Sequence, residues 1–209
     1  MQRKAKFLSI FLISLILYSC ANKKHIDSSS FCKRTKKPCL EGKAKIMMQT
    51  SRGKIILELD GESSPITAGH FLELINRKAY ENTTFHRVIK TPYPFIVQGG
   101  DLILNNESNF IPLEIKIKSE EIPRYNFLIT NPTEISEIQI IHKRGALAMA
   151  RSEGINSAKT QFYIALKPLP ELDGRYTVFG HVIEGMEAVD SIEKGDKIIR
   201  TYLLDNKRK

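Results

Sequence analysis

An arginine and a glutamine are the polar residues of this sequence whose surroundings best suit catalysis. Arg87 lies in the run Phe85–Ile89, and Gln98 ends the next apolar run, before two glycines. No Ser/His/Asp arrangement, metal-ligand spacing or phosphate-binding loop accompanies them in the sequence. The set suits a reaction that needs one cation, a few hydrogen bonds and an apolar slot, such as rotation about the peptide bond before proline. The apolar residues that would form the slot are Phe95, Ile96, Tyr163, Leu172 and Tyr176.

Rotation about a peptide bond is slow because resonance gives the C–N bond partial double-bond character. The barrier is ~18–20 kcal/mol, and X–Pro bonds isomerise in tens to hundreds of seconds. In the twisted transition state the prolyl nitrogen regains a lone pair. A guanidinium such as that of Arg87 would bind only this twisted form and would therefore lower the barrier. The amide of Gln98 would steady the planar donor fork of the arginine.

The net charge of +9 over 209 residues is concentrated near the N-terminus. Residues 20–43 hold seven basic and two acidic side chains, whereas residues 44–209 hold 22 basic and 21 acidic ones. Nucleic-acid binding needs a basic surface that neutralises phosphates, so the nearly neutral main part of the chain excludes that class of protein. The five histidines show no pair at metal-ligand spacing, and no metal or other cofactor is expected.

The first residues have the pattern of an export signal. Met1–Ser19 begins with basic residues and contains the apolar run Phe7–Tyr18. This run is shorter than the ~20 residues that a membrane-spanning helix needs, and it fits the core of a secretory signal peptide. Leu17–Cys20 resembles the bacterial lipobox, in which the cysteine becomes the lipidated first residue of the mature protein. Lipidation of Cys20 is therefore predicted, with ordinary signal cleavage as the alternative.

The segment that follows the signal is polar and charged. Residues 20–43 cannot bury enough apolar area to fold alone, so they predict a flexible basic tether. Cys32 and Cys39 remain in this segment once Cys20 is assigned to the lipid. An even pair of cysteines in an exported protein predicts a small disulfide loop, with two free thiols as the alternative.

The folded domain, expected over residues 44–205, begins with two strands and a helix. Lys45–Gln49 and Lys54–Leu59 flank a polar turn that ends in glycine, which is typical of a hairpin. Ser64 and Pro65 then predict the start of a helix, with serine as the cap and proline in the first turn. Its apolar stripe consists of Ala68, Phe71, Leu72 and Ile75.

After this helix the sequence predicts short strands separated by polar or glycine breaks. Many short strands with only two helices favour an antiparallel barrel over a parallel α/β sheet. Residues 102–141 show no sustained period and are expected to form a long loop with one or two strand fragments. Residues 206–209 would form a basic tail. The strands are Thr84–Ile89, Phe95–Gln98, Ala146–Ala150, Gln161–Leu166, Tyr176–Val182 and Lys197–Leu204, and the second helix is Glu187–Ile192.

Five motifs, in order along the chain, resemble those of the cyclophilin-type peptidyl-prolyl cis-trans isomerases. The resemblance covers about residues 44–205, with the middle segment poorly matched. It implies a mainly β fold, in which a closed eight-stranded antiparallel β-barrel is capped by two α-helices and carries the active groove on its outer face. The motifs are Phe85–Ile89, Phe95–Asp101, Gly145–Arg151, Thr160–Ile164 and Leu172–Gly180.

The resemblance also implies roles for individual residues. Arg87 matches the family's catalytic arginine, and Gln98 matches the glutamine that supports it. His86 precedes the arginine as it does in the family and is grouped with the substrate-binding residues. The other substrate-binding residues implied are Phe95, Ile96, Ala150, Arg151, Gln161, Tyr163, Leu172 and Tyr176.

The implied function is peptidyl-prolyl isomerisation in exported or envelope proteins, which assists their folding. The protein would be a lipid-anchored monomer in the cell envelope of a bacterium, on the periplasmic or surface side, with proline-containing polypeptides as clients. Two departures from the family favour an alternative. Lys90–Pro94 places five residues where the family usually has two, and residues 102–141 are unusual. The groove could instead serve a non-enzymatic module that binds proline peptides or acts as a chaperone.

Overall fold

The computed structural model describes Cys32, residues 37–100 and residues 110–204. Most of its regular elements are strands. In chain order they are β1 (Lys43–Thr50), β2 (Gly53–Asp60), α1 (Pro65–Asn76), β3 (Arg87–Ile89), β4 (Ile96–Gly99), β5 (Glu114–Ile115), β6 (Arg124–Tyr125), α2 (Pro132–Ser136), β7 (Ala146–Met149), β8 (Phe162–Ala165), a 3₁₀-helix (Pro170–Leu172), β9 (Val178–Glu184), α3 (Met186–Ser191) and β10 (Ile198–Leu204).

Eight of these strands form one curled sheet in the order β10-β1-β2-β9-β7-β8-β4-β3, and β5 pairs with β6 separately. Every strand pairing is antiparallel. The edges of the large sheet are linked by backbone hydrogen bonds between residues 82–85 and residues 195–198. The prediction of a mainly β fold with eight antiparallel strands is confirmed. The closed barrel is not confirmed, because β3 and β10 form no ladder with each other.

The predicted elements are present, but several of their boundaries differ. Only Arg87–Ile89 of the predicted strand Thr84–Ile89 belongs to a strand, and Thr84 forms an isolated bridge with Lys197. The strand predicted from Tyr176 begins at Val178 instead. Backbone pairing decides these ends, and a sequence pattern does not specify it to the residue. Among the described residues, no helix combines the length and the apolar character that crossing a membrane requires.

An aromatic core lies between α1 and the sheet. Its ring centroids lie between 5.0 and 6.4 Å apart, in tilted or edge-to-face arrangements. Burying such large apolar side chains is the main favourable contribution to folding, and the ring geometry adds to it. The core therefore fixes α1 against the strands that carry the site. The fully buried aromatic residues are Phe71, Tyr80, Phe85, Phe162 and Phe179.

The N-terminus of α1 is capped by a glutamate from a distant part of the chain. Ser64 occupies the cap position as predicted, but its hydroxyl donates to the carbonyl oxygen of Val178 instead of capping the helix. Glu114 on β5 accepts from the backbone N–H of Thr67 at 2.9 Å and from that of Ile66 at 3.2 Å. It also accepts from the hydroxyls of Thr67 and Tyr125. A carboxylate is favourable here because helix N-termini present unpaired N–H groups and a positive dipole end.

The segment predicted as a long loop is partly ordered into a small unit of its own. Its described part contains β5, β6 and α2, and five buried residues form a separate apolar cluster. The unit is attached to α1 by Glu114, and to the loop before β9 by a hydrogen bond from the Ile129 N–H to the Gly174 carbonyl oxygen. The sequence pattern did not reveal this unit, because its strands are short and prolines interrupt them. The cluster residues are Leu113, Ile115, Ile117, Ile129 and Ile138.

The end of the predicted tether lies against the folded domain. The backbone of Cys39 packs on Gly69 of α1, where an added Cβ would come within 2.4 Å of the Cys39 Cα. The N–H of Leu40 donates to the carbonyl oxygen of Pro65, and Lys37 donates to the carbonyl oxygen of Phe110. Residues 37–40 of the predicted tether are therefore in contact with the folded domain. The structure joins Cys32 and Cys39 in a disulfide bond.

Replacing Glu114 with alanine is expected to lower the free energy of unfolding by about 3 kcal/mol, because it leaves two helix N–H groups and two hydroxyls without their acceptor. Burial raises the pKa of Glu114, whereas the hydrogen bonds from Thr67, Ile66 and Tyr125 lower it. Urea denaturation followed by circular dichroism measures the effect. The exposed Glu137, replaced with alanine, is the control. Equal stability of the two variants would contradict this account of the cap.

Candidate active site

Three neighbouring strands bring the polar residues of the site together. Arg87 on β3 is directly opposite Gln98 on β4, and Gln98 is directly opposite Tyr163 on β8. Side chains at paired positions of an antiparallel sheet lie on the same face. The register of the sheet therefore determines that an arginine, a glutamine and a tyrosine project from one patch of its surface.

A chain of side-chain hydrogen bonds runs across this patch. Nη1 of Arg87 donates to Oε1 of Gln98 at 3.0 Å, and Nε2 of Gln98 donates to Oε1 of Gln161 at 2.8 Å. Gln98 is only 8% exposed, whereas Arg87 is exposed. The side-chain amide of Gln98 is thus held by hydrogen bonds at both its oxygen and its nitrogen. It binds the Arg87 guanidinium through Nη1.

The patch forms one end of a cavity of about 590 Å³. The structure brings ten of the eleven predicted catalytic and substrate-binding residues to its lining. Its apolar wall comes from two regions, β4 with β8 and the 3₁₀-helix with the loop that follows it. The ten residues are Arg87, Phe95, Ile96, Gln98, Ala150, Arg151, Gln161, Tyr163, Leu172 and Tyr176.

His86 is the exception among the predicted site residues. It is not part of the cavity lining, and its Nε2 lies 3.4 Å from Nε2 of Gln98. His86 precedes the first residue of β3. It therefore lies beside the glutamine that holds Arg87, outside the lining of the cavity.

Arg151 forms part of the cavity wall together with an aromatic ring. Its guanidinium carbon lies 4.7 Å from the ring centroid of Tyr176, within the range of a cation–π contact. The same guanidinium donates to backbone carbonyl oxygens of Arg175, Ser152 and Glu153. These bonds orient the cation within the wall of the cavity, although they lie at the exposed surface.

Sequence reasoning missed five residues that line the cavity. Four of them lie within ten residues before Gln161, and this nearness to a predicted site residue is the signal that could have indicated them. Phe110 is different, because it follows a stretch without a pattern and nothing in the sequence marks it. It is 49% exposed, and the Lys159 Nζ lies 5.8 Å from the centroid of its ring. The five are Phe110, Ser152, Ser157, Lys159 and Thr160.

The additional residues between the first two motifs form an exposed turn outside the cavity. The N–H of Phe95 donates to the carbonyl oxygen of Ile89 at 3.0 Å, so Lys90–Pro94 loops out between two bonded positions. Tyr93 is 72% exposed. None of these five residues lines the cavity, and the strands on either side of the turn are paired, with Ile89 opposite Ile96.

Glycine is required two residues after Gln98. Gly100 has a φ of +79°, and an added Cβ would lie 2.6 Å from the carbonyl oxygen of Thr160 and 2.8 Å from the ring of Tyr80. Only glycine adopts this backbone conformation without strain and also permits the close approach. The two glycines therefore end β4 where Gln98 can face the cavity, as expected of tight strand-end geometry.

The site can bind and polarise, but it carries no arrangement for breaking a covalent bond. Its cations are Arg87, Arg151 and Lys159, and its hydrogen-bonding amides are those of Gln98 and Gln161. Within residues 37–100 and 110–204, no group of three potential metal ligands is found. The arrangement can grip an apolar ring, hold the flanking backbone and place a fixed positive charge beside it.

Residues 45–204 match the family model of the cyclophilin-type peptidyl-prolyl cis-trans isomerases. A Synechocystis protein named as a thylakoid lumen peptidyl-prolyl cis-trans isomerase is 34% identical over 186 residues, which are 80% of this chain and 48% of that protein. The chain thus spans about half the length of that relative. An Arabidopsis thaliana peptidyl-prolyl cis-trans isomerase is 34% identical over 77% of this chain and 93% of its own length.

Solved structures show the same fold. A cyclophilin from Hirschia baltica superposes with a TM-score of 0.60 at 22% identity, covering 78% of this chain and 76% of that one. A cyclophilin-type isomerase from Cryptosporidium parvum, crystallised in the presence of the dipeptide Ala-Pro, gives a TM-score of 0.57 at 26% identity. The alignment covers 78% of this chain and 99% of that one.

Proposed function

This chain belongs to the cyclophilin-type peptidyl-prolyl cis-trans isomerases, and on that premise we propose that Arg87 and Gln98 carry its catalysis. The observation that supports this most strongly is the bond from Arg87 to a buried Gln98 at the edge of an apolar cavity. The activity itself follows from the family. What we propose is the role of each residue, the kind of client and the cellular location.

Arg87 acts on the prolyl nitrogen. In the planar ground state the nitrogen lone pair is delocalised into the carbonyl group and offers no acceptor. As the bond twists, the lone pair becomes available, and the guanidinium donates to it. This interaction exists only in the twisted form, so it lowers the barrier without tightening ground-state binding. Arginine is suited to this role because it stays charged and has a planar fork that Gln98 can hold.

The cavity supplies the rest of the stabilisation. Acceleration from tens of seconds to milliseconds requires ~6 kcal/mol at 1.36 kcal/mol per tenfold. Phe95, Leu172 and Tyr163 would hold the proline ring, and Gln161 would hold the flanking backbone through its amide. The crystal structure of the Cryptosporidium relative with the dipeptide Ala-Pro supports a proline-containing ligand for this groove. All these groups come from one chain, which supports function as a monomer.

The alternative of a non-enzymatic binding module has less support. Two features favour it, the insertion Lys90–Pro94 and the irregular segment 102–141. The insertion lies outside the cavity. In the described part of the segment Phe110 alone lines the cavity, and five of its apolar residues form a separate cluster. Neither of them displaces Arg87 or Gln98, so the residues required for isomerisation remain together.

The clients we propose are exported proteins, and the proposed location is the bacterial cell envelope. Three observations support export. They are the signal-like Met1–Ser19, the paired cysteines at positions 32 and 39, and the similarity to a protein named for the thylakoid lumen. Cys20 lies outside the described residues, so its lipidation remains a proposal from the sequence. A disulfide at Cys32–Cys39 agrees with an oxidising compartment.

Replacing Arg87 with alanine is expected to lower kcat by ~10²–10³, because the variant loses a donor that acts only in the transition state. A protease-coupled assay of a proline-containing peptide measures this change. Arg200 on β10, replaced with alanine, is a matched control because that residue is exposed and does not line the cavity. Equal turnover of the two variants would show that Arg87 does not act on the reacting bond.

Replacing Cys20 with serine is expected to move the protein from the membrane fraction to the soluble fraction of the cell envelope, because stable anchoring needs acyl chains on that cysteine. Cell fractionation with immunodetection, together with the mass of the mature N-terminus, measures the change. Cys32, replaced with serine, is the control. An unmodified N-terminus in the wild-type protein would refute the anchor without affecting the isomerase assignment.

A further inference from the structure

A buried chain of three polar side chains lies directly behind the proline cavity. Nδ1 of His142 is 2.7 Å from Oδ1 of Asp173, and Nε2 of His142 is 2.8 Å from the hydroxyl of Tyr163. The side chain of His142 has no exposed surface, and that of Asp173 is 6% exposed. Tyr163 itself is 3% exposed. Burying three polar side chains costs desolvation free energy that apolar side chains at the same positions would not cost. Their presence therefore suggests a role beyond packing.

The partners determine the direction of each hydrogen bond. Asp173 also accepts from the backbone N–H of His142 at 2.8 Å, so its carboxylate acts as an acceptor from two sides. Nδ1 of His142 therefore carries a proton, and in the tautomer with this single ring proton Nε2 is an acceptor. The hydroxyl of Tyr163 donates to it. Burial raises the pKa of the Tyr163 hydroxyl well above its ordinary value, so this donor keeps its proton.

Tyr163 is the residue through which the buried chain reaches the substrate. One side of it lines the cavity, and its position on β8 is paired with Gln98. The His142 ring stacks behind it with a centroid separation of 5.9 Å and an interplanar angle of 9°. The Tyr176 ring meets it edge-on at 6.1 Å. The hydroxyl bond and the stacking together fix the ring in one plane.

The unit formed by residues 110–141 supports the other end of the chain. His142 follows that unit directly, and its carbonyl oxygen accepts from the N–H of Leu169. Gly174, next to Asp173, has a φ of +76°, and an added Cβ would lie 2.1 Å from the carbonyl oxygen of Ile129. The close contact at Ile129 holds the loop that carries Asp173. The unit of residues 110–141 therefore contacts the residues that support the wall of the proline cavity.

We propose that His142 and Asp173 are positioning residues of the isomerase, which fix the Tyr163 ring as a wall of the proline pocket through its hydroxyl. They touch neither the reacting bond nor Arg87. The inference rests on the proposed function and adds how this chain grips proline. Because the ring contacts the substrate in both the planar and the twisted state, its position affects binding in both states equally. Loss of the hydroxyl bond therefore raises KM and leaves kcat nearly unchanged.

The first test replaces Tyr163 with phenylalanine, which removes only the hydroxyl. KM for a proline-containing peptide is expected to rise about fivefold, with kcat within roughly twofold of the wild-type value. Tyr202, an exposed residue of β10, replaced with phenylalanine, is the control. Wild-type turnover tests the function itself, and the ratio of KM values tests the proposal. An unchanged KM in Tyr163→Phe, or an equal loss in kcat, would overturn it.

The second test asks whether the two buried residues act through the tyrosine. Asp173→Asn keeps an acceptor oxygen for both His142 donors but removes the charge. If Asp173 acts only through Tyr163, the double variant with Tyr163→Phe has the same KM as Tyr163→Phe alone. Additive increases in KM would show an independent role and would contradict the proposal.

The third test uses a matched pair of substitutions at His142. A glutamine can place an amide oxygen near the position of Nε2, whereas an asparagine reaches only the position of Nδ1. His142→Gln is therefore expected to keep a KM closer to the wild-type value than His142→Asn does. The reverse order would overturn the proposal.

The wild-type protein provides a check that needs no folded variant. Histidine ¹⁵N chemical shifts identify which ring nitrogen of His142 carries the proton. A protonated Nδ1 with a hydrogen-bonded, unprotonated Nε2 is expected. A proton on Nε2 of the neutral ring would make donation by the tyrosine impossible, and the proposal would then be wrong.

Discussion

The hydrogen bond between Arg87 and Gln98 is the interaction on which the site depends. A guanidinium at a protein surface normally samples many orientations, and an unoriented charge would favour the twisted and planar peptide alike. The 8% exposed amide of Gln98, held in turn by Gln161, fixes one nitrogen of the fork. Preorganisation of this kind lets a single cation act selectively on the transition state. The pairing of β3 with β4 places Arg87 opposite Gln98, and Gln161 lies directly before β8.

The rest of the molecule serves to keep this patch and the adjoining cavity in place. Gly100 ends β4 with a conformation that only glycine adopts easily, and the aromatic core packs α1 behind the strands. The small unit of residues 110–141 fastens the helix N-terminus through Glu114 and contacts the Asp173 loop through Ile129. This unit thus connects the N-terminus of α1 to the loop that carries Asp173.

The strand segments and most of the cavity lining could be predicted from the sequence, because apolar periodicity and local motifs are properties of neighbouring residues. All eleven predicted site residues fall in those motifs, and ten of them line the cavity. His86 lies beside the Gln98 amide instead, which a motif position alone does not reveal. Phe110, His142 and the capping role of Glu114 could not be found this way. Each depends on a contact between residues far apart in the chain. The absence of a ladder between β3 and β10 likewise depends on pairing between distant segments, which the sequence pattern does not specify.

The central claim is that the guanidinium of Arg87, oriented by Gln98, accelerates rotation about the X–Pro bond, and that a positive charge alone does not. Exchange NMR of a peptide containing Ala-Pro, with Arg87→Lys compared to the wild type, tests it directly, since lysine keeps the charge but cannot be oriented by Gln98 as a planar fork. The account predicts a peptide Kd within roughly threefold of the wild-type value and a catalysed cis–trans exchange rate at least about tenfold lower. An exchange rate equal to that of the wild type would contradict it.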